Sequence, residues 1–281
     1  MINADPSTPF GQHVKKMIQR FLRQYPDIDG IFLDQFCYFF DDFAHDDGCS
    51  AVDNRPVYSF GQSYVQHADL LAKIVHRAGK PILANGPFHL GIARYADGIM
   101  AEGVEGLSET LKYLCLKKPL LLHAYPSDPE KVESMFRYAL LTAGAISVGG
   151  SSTLQTPPPL SSEIKNLFDK YMPLIQALHG SRILLEHSPL SLEIGLKGEI
   201  FQSSTGDFLV SILRDKAGAA NHEIHFNAKT PPGGNTCSVL ARGTGDQHWE
   251  KAAYQMQNAG RIAVTLDGSS NAYVVKITAV R

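Results

Sequence analysis

The chain has 281 residues, of which 44% are hydrophobic and 19% are charged, and its 26 Lys and Arg against 28 Asp and Glu give a formal net charge of −2. This composition is typical of a globular protein rather than a disordered one, and the lack of a basic excess argues against a nucleic-acid partner. No apolar run approaches the roughly 18 residues of a membrane span, and the first residues lack the pattern of a signal peptide. The four cysteines form no C-x-x-C pair. We therefore expect a cytoplasmic protein without membrane partner, structural zinc or cofactor.

Residues 1–180 alternate helical patterns with five short apolar runs, which lie at 29–34, 80–83, 97–102, 118–121 and 145–150. The spacing i, i+3, i+4, i+7, i+8 predicts an amphipathic helix from Val14 to Leu22, before the first run, and another from Val132 to Leu140, before the fifth. Short runs bounded by Gly, Pro or Asp are typical of buried strands. The alternation of helix and strand indicates βα units and a parallel sheet.

The loops after the runs distinguish between the two folds that such units form, an open doubly wound sheet and a (β/α)8 barrel. They are long, above all from Gln35 to about Ser59, and carry most of the Asp, His and Tyr residues, as expected at the catalytic face of a barrel. No Gly-rich nucleotide-binding motif follows any run. The sequence therefore predicts an α/β fold with a partial or complete TIM-type (β/α) barrel over residues 1–180.

The sequence contains five βα units, whereas a closed barrel has eight. The chain is then either the C-terminal part of a longer barrel or an incomplete barrel that a partner completes. Because exposed strand edges promote association, we expect a homo-oligomer contact, a partner subunit or an N-terminal segment to cover the open barrel edge.

After a predicted helix at about 161–178 and Gly180, the pattern changes. Residues 181–281 contain strand-like runs separated by turn signals such as Asp267-Gly268, without a helical repeat. The runs lie at 199–202, 207–213, 222–227, 238–241, 261–266 and 273–279. Their spacing predicts an antiparallel β-sandwich over residues 181–281, and so a domain boundary near residue 181.

Two carboxylates end strands of the predicted barrel. In a barrel strand, alternate residues face the barrel axis and the others face the helices. The branched Ile31 and Leu33 suit the helix-facing side, so Phe32 and Asp34 face the axis. The same alternation along the third run makes its last residue, Glu102, face the axis as well. Since adjacent strands lie about 4.8 Å apart, carboxyl separations of roughly 5 to 10 Å are reachable, and these cover both retaining and inverting glycoside hydrolases. The alternative is that each acid is a turn or N-cap residue.

Further polar and aromatic residues follow the same strand ends. Two of them, His123 and Tyr125, are able to donate to a substrate oxygen; a His bonded to a backbone carbonyl is the alternative. The segment 35–48 interleaves aromatic residues and acids, which suits a sugar-binding wall because aromatic faces pack on pyranose rings and carboxylates accept hydroxyl hydrogen bonds. A solvated acidic loop and a hard-cation site are the alternatives for this segment. The candidate substrate-binding residues are Tyr38, Asp41, Asp42, His45, Asn85, His123 and Tyr125.

The chain resembles (β/α)8-barrel glycoside hydrolases with a C-terminal β-sandwich, the broad group that includes alpha-galactosidases and alpha-amylases. The motifs that carry the resemblance are D-G-I-F-L-D (29–34), A-N-G-P (84–87), D-G-I-M-A-E-G (97–103) and F-D-K-Y-M-P-L (168–174). The resemblance implies that Asp34 is the nucleophile, or a base, and that Glu102 is the general acid. The K-x-D and R-x-x-x-D patterns of alpha-galactosidases do not occur around these two acids, so their substrate preference is not implied.

The local sequence agrees with these two roles. Asp34 opens onto a loop dense in hydrogen-bonding groups, which favours an ionised carboxylate, and Glu102 follows the apolar Met100 and Ala101, which favours a protonated carboxyl. The sequence therefore predicts a glycosidase that cleaves a carbohydrate substrate with Asp34 and Glu102 as its catalytic pair. The alternatives are a non-catalytic carbohydrate-binding or scaffold protein derived from a barrel, and a metal-dependent hydrolase that uses the acids of the segment 41–47 as ligands.

Overall fold

The structure, a computed structural model, describes residues 5–35, 40–86, 89–115, 118–149, 160–184, 190–214, 222–227, 237–257 and 261–279. Contacts between residues divide the chain into two compact units, Met1–Leu121 and Leu122–Arg281. Among the helices of the described residues, none is both long enough and apolar enough to cross a membrane.

The described residues form helices in the first two thirds of the chain and strands throughout. The helices are α1 (Pro9–Gln24), α2 (Phe60–Arg77), α3 (Leu90–Ala93), α4 (Glu109–Leu114), α5 (Pro129–Thr142) and α6 (Ser162–Leu178). The strands are β1 (Ile31–Leu33), β2 (Asp41–Asp42), β3 (Ser50–Val52), β4 (Arg55–Ser59), β5 (Ile82–Asn85), β6 (Gly98–Glu102), β7 (Leu120–Ala124), β8 (Ala145–Val148), β9 (Arg182–Ile183), β10 (Leu190–Ser191), β11 (Leu196–Gln202), β12 (Phe208–Arg214), β13 (His222–Asn227), β14 (Cys237–Gly243), β15 (Glu250–Lys251), β16 (Ala253–Gln257), β17 (Arg261–Leu266) and β18 (Ala272–Ala279).

A five-stranded sheet contains all five predicted barrel strands, in the order β1-β5-β6-β7-β8. Strand β5 pairs in parallel with β1 on one side and with β6 on the other. Within the described residues, β1 and β8 are the end strands of this sheet. The predicted α/β class and parallel sheet are thus confirmed, and a sheet of this kind is consistent with a partial barrel.

One face of the parallel sheet packs on helix α2. Ile31 of β1 and Ile82 of β5 share an apolar core with Leu71 and Val75 of α2, as the predicted helix-facing parity requires. Phe32 points to the opposite face, where its side chain is 49% exposed. The face that carries Phe32 is the one that a closed barrel would bury.

Local capping signals set where the helices begin. The Thr8 side chain accepts a hydrogen bond from the N–H of Gly11 at the start of α1, and Asp128 accepts from the N–H of Glu130 at the start of α5. Ser161 caps α6 in the same way. Short polar side chains at this position satisfy amides that the helix itself leaves unpaired. These helices therefore include the predicted apolar stretches and extend them to the caps.

The segment between β1 and α2 is not the long loop that the sequence predicts, because residues 41–59 include a small antiparallel sheet in the order β2-β4-β3. Asp53 and Asn54 connect β3 to β4 with φ angles of 49° and 60°. Two consecutive positive φ angles are typical of a two-residue hairpin turn, and Asp and Asn tolerate them better than most residues. The Asp-Asn pair was the sequence signal for this hairpin.

Two antiparallel sheets follow α6. One has six strands in the order β15-β14-β18-β12-β11-β9, and the other has four in the order β10-β13-β17-β16. Val210 and Val275 of the first sheet lie in one buried cluster with Val264 of the second, so the two sheets enclose a shared core. The predicted antiparallel C-terminal region is confirmed, while the domain boundary near residue 181 stays a prediction.

Helix α6 contacts the six-stranded sheet through backbone carbonyls. Pro173 inside α6 has no N–H to donate, and its carbonyl accepts a hydrogen bond of 3.1 Å from Arg242 Nη1. The Lys170 carbonyl accepts one of 3.0 Å from the N–H of Gly245. These bonds hold the proline-containing part of α6 against β14 and the turn after it.

Candidate active site

Three neighbouring parallel strands end in polar side chains at the same edge of the sheet. Asp34 directly follows β1, Asn85 is the last residue of β5, and Glu102 is the last residue of β6. The register pairs Leu33 with Ala84 and Asn85 with Met100, which places Asp34 beside Asn85 and Glu102 two residues beyond it. Because carboxyl ends of parallel strands meet at one edge, the fold brings together the two acids that the sequence predicts as catalytic, with the predicted substrate ligand Asn85 between them.

Each of these polar residues is followed by a residue with a positive φ. The angles are 48° at Gln35, 66° at Gly86 and 65° at Gly103. Glycine adopts such angles without steric cost, whereas Gln35 adopts its angle at some cost in strain. The repeated geometry turns the chain away directly after each side chain and leaves all three at the strand ends. Gly103, not Glu102, occupies the cap position of the short 3₁₀ helix Val104–Gly106, which argues against an N-cap role for this acid.

The Asn85 amide connects the two carboxylates. Its Nδ2 donates to Asp34 Oδ1 at 2.9 Å and to Glu102 Oε1 at 3.1 Å. Asn85 is buried, at 6% exposure, whereas Asp34 and Glu102 are exposed. Two oxygens bonded to one nitrogen can be no further apart than the two bonds laid end to end, about 6 Å, and the roughly 120° between the N–H bonds places them about 5 Å apart.

The exposure of Glu102 differs from the surroundings that the sequence predicts for it. Met100 and Ala101 are buried, but Glu102 itself projects into solvent at the end of the strand. Apolar burial, on which the local-sequence argument for a protonated Glu102 depends, is therefore missing. The division of roles between Asp34 and Glu102 stays a prediction.

The acids of the segment 41–47 are mostly engaged with their own chain. Asp42 accepts from the N–H of Ala44 at 2.8 Å and contacts His45 Nδ1 at 2.6 Å. The N–H of Ala44 and the His45 ring together hold the pKa of the Asp42 carboxyl below its usual value. Asp41 is exposed on β2. The predicted sugar ligands Asp42 and His45 thus bond each other, and the predicted ligand Tyr38 lies outside the described residues.

Asp47 organises the hairpin that follows. Its carboxylate accepts from the N–H groups of Ser59 at 3.0 Å, Cys49 at 3.0 Å and Ser50 at 2.7 Å. These three donors hold the pKa of Asp47 far below its usual value. Asp46 similarly accepts from the N–H of Gly48. Asp46 and Asp47 therefore act as turn residues, as the solvated-loop alternative expects.

A metal site is not formed by the described acids and histidines. Within the described ranges, no group of three or more His, Cys, Asp or Glu side chains is arranged so that it could hold a metal ion. The metal-dependent alternative for segment 41–47 therefore gains no support from this geometry.

The second unit carries the remaining predicted ligands, His123 on β7 and Tyr125 directly after it. The rings of His123 and Tyr125 meet edge to face with centroids 5.2 Å apart. His123 Nδ1 lies 3.3 Å from the hydroxyl of Ser147 on β8. Sequence reasoning missed Ser147, although its position two residues before the Gly149-Gly150 pair, in the fifth run, was a signal for a strand-end hydroxyl.

The chain is similar in fold to solved enzymes that act on carbohydrates. A cycloisomaltooligosaccharide glucanotransferase of Paenibacillus sp., in complex with cycloisomaltoheptaose, matches with a TM-score of 0.60 and 10% identity over 97% of this chain and 66% of that chain. A GH27 β-L-arabinopyranosidase of Geobacillus stearothermophilus matches with a TM-score of 0.49 and 12% identity over 98% and 63%. The catalytic domain of the GH30 xylanase C of Talaromyces cellulolyticus matches with a TM-score of 0.48 and 11% identity over 98% and 68%.

These matches concern the fold alone. The chain spans about two thirds of the length of the solved structures. No family model and no curated protein matches it. The structures that it is similar to include glycoside hydrolases.

Proposed function

We propose that this protein is a glycoside hydrolase that cleaves a glycosidic bond with the carboxylates of Asp34 and Glu102. The observation that supports this proposal is their shared hydrogen bonding to Asn85 Nδ2 at 2.9 and 3.1 Å. This contact keeps the two oxygens that it joins, Asp34 Oδ1 and Glu102 Oε1, within about 6 Å of each other. That separation is close to the 5 to 5.5 Å typical of retaining glycosidases and below the 6.5 to 9.5 Å typical of inverting ones. We therefore propose that the anomeric configuration is retained.

The proposed reaction has two displacements. Asp34 attacks the anomeric carbon while Glu102 gives its proton to the glycosidic oxygen, so that the bond to the leaving group breaks and a glycosyl ester forms on Asp34. Glu102, now a carboxylate, takes a proton from a water molecule, and the oxygen of that water attacks the anomeric carbon and releases Asp34. The resemblance to barrel glycosidases supports this assignment of roles, with the nucleophile on the earlier strand.

We also propose the full architecture that the sequence predicts, a (β/α) barrel followed by a β-sandwich, with a second copy of this chain or a partner subunit covering the open barrel edge. The end strands β1 and β8 and the exposed Phe32 support this proposal. A carbohydrate is the proposed substrate. The proposed contacts to it remain Tyr38, Asp41, Asp42, His45, His123 and Tyr125.

A panel of nitrophenyl α- and β-glycosides, assayed with and without EDTA, tests the proposed function. We expect turnover that EDTA leaves unchanged and that Asp34→Asn abolishes. Asp29→Asn is the matched control, because Asp29 is an exposed residue of the same type before the other end of β1. Turnover lost with EDTA would favour the metal-dependent alternative, and sugar binding without turnover would favour a carbohydrate-binding protein.

The leaving group tests the role of Glu102. A general acid matters most when the leaving group is a poor one, because activated phenols depart with little help from a proton. We expect Glu102→Gln to lower kcat/KM about 100-fold or more on unactivated glycosides and much less on dinitrophenyl glycosides. Equal losses on both kinds of substrate would contradict the assignment of Glu102 as the acid.

A further inference from the structure

The side chain of Asn85 is placed differently from that of a sugar ligand. Its strand, β5, lies between β1 and β6, and the two acids belong to those flanking strands. The Asn85 side chain is 6% exposed, and its Nδ2 donates to both Asp34 and Glu102. Both hydrogens of the amide nitrogen are thus engaged with carboxylates, and neither is left for a substrate hydroxyl.

We infer that Asn85 is a positioning residue that sets the distance between Asp34 and Glu102, rather than a residue that binds the sugar. This inference rests on the proposed function, since the distance matters only if the two acids act as a pair. The trigonal amide nitrogen has two N–H bonds at a fixed angle, and each bond directs one carboxylate oxygen. Asn85 therefore acts on the reaction through the two acids and not through the substrate.

The negative charges of Asp34 and Glu102 explain why a neutral donor such as the Asn85 amide suits this position. Two carboxylates about 5 Å apart repel each other whenever both are ionised. A neutral amide that donates to both stabilises the ionised forms without adding a charge that would capture either acid in an ion pair. The burial of Asn85 keeps water from competing for its own N–H groups.

The backbone around Asn85 is fixed as well. The residue pairs with Met100 of β6 in the parallel register, and the N–H of Gly86, at a φ of 66°, donates to the Met100 carbonyl at 3.0 Å. Asn85 is thereby anchored on the strand that carries Glu102. A buried amide on a fixed backbone is suited to hold two exposed carboxylates in place.

Kinetics of Asn85→Leu test the inference, because leucine has a similar volume and no donor. A misplacement of reacting groups by about 1 Å costs roughly 100-fold in rate, so we expect kcat to fall about 100-fold while KM changes little. Leu83→Ala is the matched control, because Leu83 shares the strand and the face of Asn85 and lacks polar atoms. We expect the control to keep kcat within about threefold, because Leu83 has no polar group that could donate to the acids.

Nuclear magnetic resonance of protein labelled with ¹⁵N in asparagine tests the contact without any need for turnover. We expect Asp34→Asn to shift one of the two Asn85 amide protons upfield and Glu102→Gln to shift the other. If neither substitution moves these protons, the inference is overturned.

The kinetic outcomes separate this inference from the proposed function. A raised KM with unchanged kcat in Asn85→Leu, or an equal loss of kcat in Leu83→Ala, would overturn the positioning role and leave the glycosidase proposal standing. A wild-type protein that turns over no glycoside, while the amide protons respond as expected, would overturn the proposed function and the catalytic meaning of the contact with it.

Discussion

Positive φ angles directly after Asp34, Asn85 and Glu102 give the three side chains of the candidate site a common geometry. Two of the three positions are glycines, Gly86 and Gly103, and the third is Gln35. At Gly103 an added Cβ would come within 2.6 Å of Oε2 of Glu105, but this atom ends an exposed, flexible side chain that can move away. The backbone, with its φ of 65°, is what disfavours a side chain there. This glycine therefore maintains the position of Glu102.

We expect Gly103→Ala to lower the free energy of unfolding by about 1 kcal/mol, because a Cβ at positive φ costs about that much, and to lower kcat/KM about tenfold by displacing Glu102. Gly79→Ala is the control, since Gly79 has a φ of 70° and an added Cβ there meets nothing within 4 Å. The control should lose similar stability in urea denaturation and keep its activity. Equal activity in the two variants would argue against a site at Glu102.

Helices α5 and α6 are joined by a charged network around Glu133. Its Oε1 accepts from Lys170 Nζ at 2.7 Å and from the hydroxyl of the buried Tyr171 at 2.5 Å. Burial raises the pKa of Glu133, but these two hydrogen bonds outweigh the burial and hold the pKa below its usual value. The ionised form of Glu133 is thus favoured in the folded state, and it stabilises the helix pair.

The lowered pKa of Glu133 determines how the stability of the protein depends on pH. Because the folded pKa lies below the unfolded value of about 4.3, the contribution of Glu133 is complete above about pH 5 and is lost as the pH falls through the folded pKa. We expect Glu133→Gln to lose about 1 kcal/mol at pH 7, since a third of the side chain is exposed and water screens the charges, and to lose less relative to wild type at pH 3. Urea denaturation at both pH values measures this, with the exposed Asp169→Asn as control. A loss that is as large at pH 3 as at pH 7 would contradict the assignment.

The elements that could be predicted from the sequence are those whose apolar residues recur with a clear period. The five parallel strands, the amphipathic helices and the six longer C-terminal runs have apolar patterns that burial imposes, and the structure confirms them. The two-residue strands β2, β9, β10 and β15 are too short for a pattern, because their pairing depends on neighbours distant in the chain. The hairpin at Asp53-Asn54 had a local sequence signal, the Asp-Asn pair itself, and the prediction of a long loop did not take it into account.

The candidate site was predictable in its residue types and strand positions but not in its contacts. Asp34, Asn85 and Glu102 end consecutive strands of the pattern, so their proximity follows from strand parity and order. That Asn85 donates to both acids, and that Asp42 and His45 bond each other, depends on side-chain directions that a sequence pattern does not contain. Glu102 lacks the apolar environment that the sequence predicts, because buried neighbours along a strand do not bury the residue that ends it.

At the scale of the whole molecule, the end strands of the parallel sheet support the proposed association with a second copy of the chain. Within the described residues, β1 has a neighbour on one side only, and Phe32 is half exposed. Open strand edges favour pairing with another chain. We expect light scattering of the purified chain to give a mass of at least two copies. A monodisperse monomer with the circular dichroism of a folded protein would contradict the proposed coverage by a second copy.

Chemical rescue of Asp34→Gly tests most directly whether Asp34 and Glu102 are a catalytic pair of the retaining type. The variant leaves space for azide, which attacks the anomeric carbon of an activated aryl glycoside in place of the missing carboxylate. We predict that the variant is inactive in buffer, that azide restores turnover, and that proton NMR shows a glycosyl azide of inverted anomeric configuration. A variant that keeps wild-type turnover without azide, or that azide does not rescue on any glycoside that the wild type cleaves, would contradict the account.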